Sequence, residues 1–183
     1  MIVDLKDLID DDLFYNYFTH KVTTIKPNGS LKLKPIRGRI GYIGYDFYSD
    51  YLTMLYHSKI TKTISEKINK KIIPSFCFTR YYYEDSVLNF HKDRPECEIT
   101  VSHCHYGEPW KIYVEDDEYI TETGVSIYYQ GIDRSHGRIQ KLKNKSLYSF
   151  FHWIEFDGNY ENHKFDRSIF SEKVYRKLDK PYI

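Results

Sequence analysis

Phe90-His91-Lys92-Asp93-Arg94-Pro95-Glu96-Cys97-Glu98-Ile99-Thr100 is the stretch on which the reading of this chain turns. A histidine and an aspartate two positions apart fall on the same side of an extended strand, so both side chains can reach one point in space. A further histidine, His136, follows in a segment that also reads as a strand. Two imidazoles and one carboxylate on one face of a metal ion leave its other positions open. Taken alone, His-x-Asp is more readily the polar edge of a surface strand. The later histidine and the surrounding sequence favour the metal.

Outward from this stretch the texture is β. Residues 75–83 are rich in Phe, Tyr and Thr, Glu84-Asp85-Ser86 reads as a turn, and residues 87–90 lead into His91. Residues 99–105 alternate Ile99, Val101, His103 and His105 with Thr100, Ser102 and Cys104. Residues 110–114, 125–130 and 146–155 read as further strands, with an acidic turn at 115–118 and a loop at Gly131-Ile132-Asp133. Before them, Leu52, Leu55, Tyr56, Ile60, Ile64 and Ile68 recur at three- and four-residue steps and predict a helix within 46–69. Asp46 or Ser49 is its candidate N-cap, and Pro74 enforces its exit. Residues 21–46 read as one or two strands broken by Pro27-Asn28-Gly29, and residues 1–20 as a short helix or irregular cap. Short strands joined by turns after one helix predict a mainly β chain: a double-sheet barrel or jelly roll.

With 183 residues the chain has the length of one domain. Lys and Arg number 27 against 26 Asp and Glu, a net charge of +1 that indicates neither nucleic acid nor an anionic membrane as partner. No apolar run is long enough to span a bilayer, and Met1-Ile2-Val3-Asp4-Leu5-Lys6 lacks the basic start and long apolar stretch of a signal peptide. Three irregularly spaced cysteines, Cys77, Cys97 and Cys104, argue against a disulfide scaffold and for a reducing, cytoplasmic compartment. Nineteen Tyr and eleven Phe lean toward strands with one side buried and one wet.

Several runs, in order, carry a resemblance to a known family. They are residues 74–82, His91-Lys92-Asp93-Arg94-Pro95-Glu96-Cys97-Glu98-Ile99-Thr100, Glu108-Pro109-Trp110, Ile127-Tyr128-Tyr129-Gln130-Gly131 and His136-Gly137-Arg138. Over roughly residues 50–165 the chain resembles the prolyl-4-hydroxylase-like 2-oxoglutarate/Fe(II)-dependent dioxygenases, notably their short bacterial and phage members. The resemblance implies a single dioxygenase domain over 1–183, with residues 1–46 as an N-terminal extension. It implies a distorted double-stranded β-helix of the jelly-roll or cupin-like kind. It also implies Fe(II) held by His91, Asp93 and His136, with 2-oxoglutarate and O2 as co-substrates, ascorbate as an auxiliary reductant, and release of succinate and carbon dioxide. A peptidyl proline is the first substrate to expect, with a free amino acid, another protein side chain or a nucleotide derivative as alternatives. The setting would be a bacterial or phage-infected cell.

The distal carboxylate of 2-oxoglutarate needs a cation. The broader fold carries one at a longer spacing after the distal histidine, here Lys145. The phage-type members have His-Trp-Arg-Glu instead; this chain has Gly137 and Ile139 but keeps Arg138. Arg138 is preferred, because two residues along a strand return to the same face. Tyr82 matches a family tyrosine whose phenol can hydrogen-bond the co-substrate, and otherwise packs in the core. Arg80 shares its face, and Arg94 and Glu96 follow the ligands directly; these three are candidates for the primary substrate, or for a salt-bridged loop. His103 and His105 form a rival pair on one strand face, with a half-buried structural role as the plainer reading. That pair would suit a cupin-like metalloenzyme without 2-oxoglutarate, and a non-catalytic barrel is the remaining alternative. His152, between Phe151 and Trp153, reads as a packed core residue.

Overall fold

The computed structural model describes residues 1–24, 36–38 and 40–156. Its strands are β1 (Ile2–Val3), β2 (Ile36–Arg37), β3 (Ile43–Tyr48), β4 (Ile72–Tyr82), β5 (Leu88–His91), β6 (Ile99–Tyr106), β7 (Trp110–Val114), β8 (Asp117–Thr121), β9 (Ser126–Tyr129), β10 (His136–Arg138) and β11 (Ser146–Glu155). Two helices, α1 (Asp11–Thr24) and α2 (Tyr51–Ile68), and one short 3₁₀ turn at Pro95–Cys97 complete the elements among the described residues. The strands form a seven-stranded sheet, β1-β9-β6-β11-β4-β3-β2, and a four-stranded sheet, β5-β10-β7-β8. All strand pairings are antiparallel. The architecture is thus mainly β, a two-sheet jelly roll with flanking helices.

Two apolar layers hold it together. Between the helices and the large sheet lie Phe14, Phe18, Tyr56, Ile60, Ile64, Val101, Phe151 and Trp153. Between the two sheets lie Tyr82, Leu88, Trp110, Tyr148 and Phe150, with Ile112, Val114, Ile127 and Tyr129 beside them. β11 runs between β4 and β6 and is buried on both faces until Glu155, which explains its near-continuous apolar and aromatic sequence.

The helix predicted within 46–69 begins later than the apolar spacing suggests. Asp46 stays in β3, paired with Arg80, and Asp50 is the N-cap, accepting from the Leu52 amide at 3.0 Å. Asn69, left-handed at φ 52°, closes the helix. The buried stripe is Thr53, Tyr56, His57, Ile60 and Ile64, whereas Leu55 faces solvent. The acidic turn contracts to Glu115 and Asp116, because Asp117 already opens β8. Residues 11–24 are a full helix and no irregular cap. The turn expected at Pro27-Asn28-Gly29 and the end of the family-like segment beyond residue 156 lie outside the described residues.

Candidate metal centre

β5 and β10 lie side by side with His91 directly opposite His136. Their rings stand 4.4 Å apart between centroids. The strand ends at His91, so strand alternation does not deliver Asp93 to the same point as expected. Asp93 sits in the loop after β5, where its amide donates to the Gly131 carbonyl at 2.8 Å. Gly131 must be glycine: a Cβ there would fall 2.3 Å from Asp93 Oδ2. Gly137, which replaces the tryptophan of the phage-type motif, lets β10 close on β5, since its Cβ would meet the Leu88 carbonyl at 2.7 Å.

The hydrogen bonds fix the tautomers of both rings. His91 Nδ1 lies 2.8 Å from the Asn89 carbonyl and His136 Nδ1 lies 3.0 Å from the Arg134 carbonyl. A carbonyl only accepts, so each Nδ1 carries a proton, and in the neutral ring each Nε2 presents a lone pair. Burial favours the neutral form of His136 and lowers its pKa, with the Asp93 carboxylate opposing. The two bare nitrogens face the carboxylate: His91 Nε2 is 3.7 Å from Asp93 Oδ1, and His136 Nε2 is 3.6 Å from Oδ2. Both gaps are longer than a hydrogen bond and somewhat wider than the ligand-to-ligand edge of about 3 Å for a metal with bonds of about 2 Å. The three ligand atoms cluster within 4.8 Å of one another. Backbone carbonyls behind both imidazoles orient them as in metal-ligating histidines.

The triad opens on a cavity of about 210 Å³ between the sheets. Phe76, Phe78 and Arg80 of β4, Phe150 and His152 of β11 and Tyr129 of β9 form one wall; Leu88, His91 and His136 form the other. His152 has a larger part here than its sequence suggested. It lies beside both Phe76 and Phe78, its Nδ1 is 3.0 Å from Thr100 Oγ1, and its Nε2 has no protein partner. Thr100 in turn reaches Asp93 Oδ2 at 3.4 Å. β11 is buried on both faces, so the sequence offered no alternation to place His152. Its step of two from Phe150 was the one available signal.

Arg138 is fully buried, close enough to His136 for its charge to oppose protonation there, and is not among the residues that line the cavity. The β10 register shifts between His136 and Arg138, yet both side chains are buried. Its Nη1 donates to the Trp110 carbonyl and to Thr121 Oγ1, both at 2.8 Å. The guanidinium lies against Trp110 and Tyr148, at 4.7 and 4.6 Å from their ring centroids. Its Nε and Nη2 have no partner. Lys145 is elsewhere: it is exposed, over the Tyr83 ring, in a surface groove with Glu84, Tyr106 and Glu108 that shares no residue with the cavity. The register turns it outward at the entrance of β11.

Tyr82 is buried among Tyr42, Trp110 and Tyr148, with its hydroxyl 3.3 Å from Arg80 Nη1; it does not line the cavity. Arg80 does line it, but is already engaged by Asp46 through two hydrogen bonds and lies flat on Tyr42, 3.5 Å from the ring centroid. Arg94 stands at the rim over Phe76, and Glu96 is buried 3.7 Å from it, so the salt-bridged loop foreseen for this pair is present. His103 and His105 are not in the barrel: they face α1 and meet Asp11.

No protein-family model and no curated protein sequence matches the chain. Solved structures do match in fold. A viral collagen prolyl hydroxylase from Paramecium bursaria Chlorella virus-1, in complex with 2-oxoglutarate, aligns at TM-score 0.58 and 12% identity, covering 85% of this chain and 96% of the other. A 2-oxoglutarate-Fe(II) oxygenase family oxidoreductase from Burkholderia pseudomallei aligns at 0.59 and 11%, covering 86% and 85%. HygX from Streptomyces hygroscopicus, with nickel and 2-oxoglutarate bound, aligns at 0.59 and 8%, covering 86% and 83%. At these identities the likeness is one of fold, the fold of the 2-oxoglutarate/Fe(II) oxygenases.

Proposed function

We propose that this protein is an Fe(II)- and 2-oxoglutarate-dependent hydroxylase. The observation that carries the reading is the pairing of two features in one barrel. Two lone-pair-bearing Nε2 atoms and a carboxylate converge on a cavity, and a buried guanidinium with two unpartnered nitrogens lies close to His136. An unpaired buried cation is costly, so its presence speaks for an anionic ligand. The donor set suits Fe(II), which would supply the oxidation of a C–H bond at the expense of 2-oxoglutarate and O2.

The chain's own residues have separable tasks in this scheme. His91, Asp93 and His136 hold the metal on one face and leave the cavity side open. Arg138 Nε and Nη2 form a fork for the distal carboxylate of 2-oxoglutarate, with Trp110 and Tyr148 excluding water around it. Phe76, Phe78 and Phe150 give the cavity apolar walls, and Arg94 at its rim is placed to meet the primary substrate. A peptidyl proline is the substrate we put first; an apolar cavity at a polar rim suits such a ring, and a prolyl hydroxylase is among the matching folds. The cupin-like alternative loses its basis, because His103 and His105 point away from the barrel interior. Three unpaired cysteines fit a reducing compartment, and we place the protein in the cytoplasm.

Anaerobic addition of Fe(II) and 2-oxoglutarate tests the reading. A weak visible charge-transfer absorption is expected only when both are present, and is expected to vanish in His91→Ala, Asp93→Ala and His136→Ala. A wild-type protein that stays colourless with both added, or a His136→Ala variant that keeps the band, would refute it.

A further inference from the structure

A second set of metal-ligand side chains lies across the large sheet from the triad. His103 and His105 alternate along β6 with Ser102 and Cys104, so their rings point to α1 and away from the cavity. Asp11, the first residue of α1, reaches between them: its Oδ1 is 2.7 Å from His103 Nε2 and 2.8 Å from His105 Nδ1. Both imidazoles are completely buried, while the Asp11 side chain is 22% exposed. The far nitrogens are held as well. His103 Nδ1 lies 2.6 Å from Ser126 Oγ, and His105 Nε2 lies 2.7 Å from Ser149 Oγ. Ser149 continues to Thr79 at 2.6 Å and Thr79 to Thr53 at 2.7 Å. Phe14 stacks on His105 with centroids 3.9 Å apart. Two rings aimed at one point, each fixed from behind by a hydroxyl, have the orientation of metal-ligating histidines.

We propose that Asp11, His103 and His105 form a second divalent-metal site, of the zinc class, that fastens the start of α1 to the large sheet. Two nitrogen donors and one carboxylate oxygen, with a water in the fourth position, satisfy tetrahedral Zn²⁺. The fourth ligand would come from solvent at the Asp11 carboxylate, the one exposed part of the site. Binding requires one tautomer shift in each ring: the proton on the nitrogen facing Asp11 moves to the far nitrogen, and Ser126 and Ser149 become acceptors. The ligand atoms then separate from hydrogen-bond contact to about 3.3 Å, the edge of a tetrahedron with bonds of about 2 Å.

Zinc itself is the probe, titrated into metal-stripped protein against a chromophoric chelator. The Asp93→Ala/His136→Ala background removes the triad and also breaks the neighbouring Asp93–Cys97–His152 grouping. One zinc per chain is expected in that background with a Kd below about 1 µM, and none after adding Asp11→Asn and His103→Gln. Ser126→Ala is expected to weaken it by about tenfold through loss of the ring support. Absence of zinc binding up to about 100 µM in the triad-less background overturns the site, as does binding unchanged by Asp11→Asn/His103→Gln. Should that background not fold, wild-type stoichiometry decides: two zinc ions falling to one in Asp11→Asn supports the site, and one in both overturns it. This readout does not depend on Fe(II) or 2-oxoglutarate, so it stands or falls apart from the function proposed above.

Discussion

In the proposed scheme, removing the Arg138 guanidinium leaves the distal carboxylate of 2-oxoglutarate beside Trp110 and Tyr148 with no cation. Truncating one partner of a buried hydrogen-bonded charge pair costs about 2–5 kcal/mol. Arg138→Ala is therefore expected to raise the 2-oxoglutarate Kd by well over tenfold in the anaerobic charge-transfer titration, with Fe(II) affinity little changed. Lys145, exposed in a separate groove, is the control: Lys145→Ala is expected to shift the same Kd by less than about threefold, under 1 kcal/mol. A crippled Lys145→Ala beside a normal Arg138→Ala would transfer the anchor to the longer-spaced position. Gly131 gives a second single-residue test. A Cβ 2.3 Å from Asp93 Oδ2 and 2.7 Å from the Cys97 carbonyl must displace the ligand loop. Gly131→Ala is expected to lose Fe(II) binding while keeping a native circular dichroism spectrum; retained metal would show that the loop yields freely.

Asp50 joins two helices through one carboxylate. Oδ1 caps α2 at the Leu52 amide, while Oδ2 takes Lys21 and the Tyr17 hydroxyl of α1. Asn keeps the cap and loses the charge, so Asp50→Asn is expected to cost less than about 1 kcal/mol, in the range of a partly exposed ion pair. Asp50→Ala loses both and is expected to cost about 2 kcal/mol. Urea unfolding separates them, and equal losses would remove the capping role. The same helix shows what the sequence can disclose about elements. Its apolar spacing marked its existence and its burial of Tyr56, Ile60 and Ile64, but not its start. Asp46, Ser49 and Asp50 are all competent caps, and the choice depends on Arg80 holding Asp46 in β3. The juxtaposition of His91, Asp93 and His136 is legible in the sequence, because His91 and His136 are directly opposed on β5 and β10, but strand alternation does not account for Asp93, which a backbone bond to Gly131 places. Asp11 was beyond reach from sequence: it meets His103 and His105 only because α1 lies across β6, a tertiary fact that no local pattern encodes.

Across the whole molecule, the helix-facing layer buries neutral histidines, and this sets how the fold answers acid. Burial pushes His57 down to about 3, where its ring is wedged against Phe151 and Trp153 and only the His152 backbone favours the proton. His105 is likewise near 3, despite Asp11. Unfolding returns both rings to an ordinary value of 6.5. Between those values the unfolded chain binds protons that the folded chain excludes. Stability is therefore full above about pH 6.5 and falls with acid by about 1.4 kcal/mol per pH unit for each ring. His136 and His152, also lowered chiefly by burial, add to the same slope. Asp11 acts later: its carboxyl is held at about 2 against 3.8, so its contribution is present above 3.8 and is lost only as pH falls from there toward 2. The chain should thus begin to weaken well above the range in which carboxylates are protonated. His57→Leu separates one ring from the rest, because leucine fills an apolar site and takes up no proton. Urea unfolding of chelator-treated protein is the measurement, at pH 6.5 and pH 5. Wild type is expected to lose about 2 kcal/mol more than His57→Leu over that interval. Parallel losses in the two proteins would mean that His57 carries its proton in the fold, and that Trp153 and Phe151 share their layer with a charge.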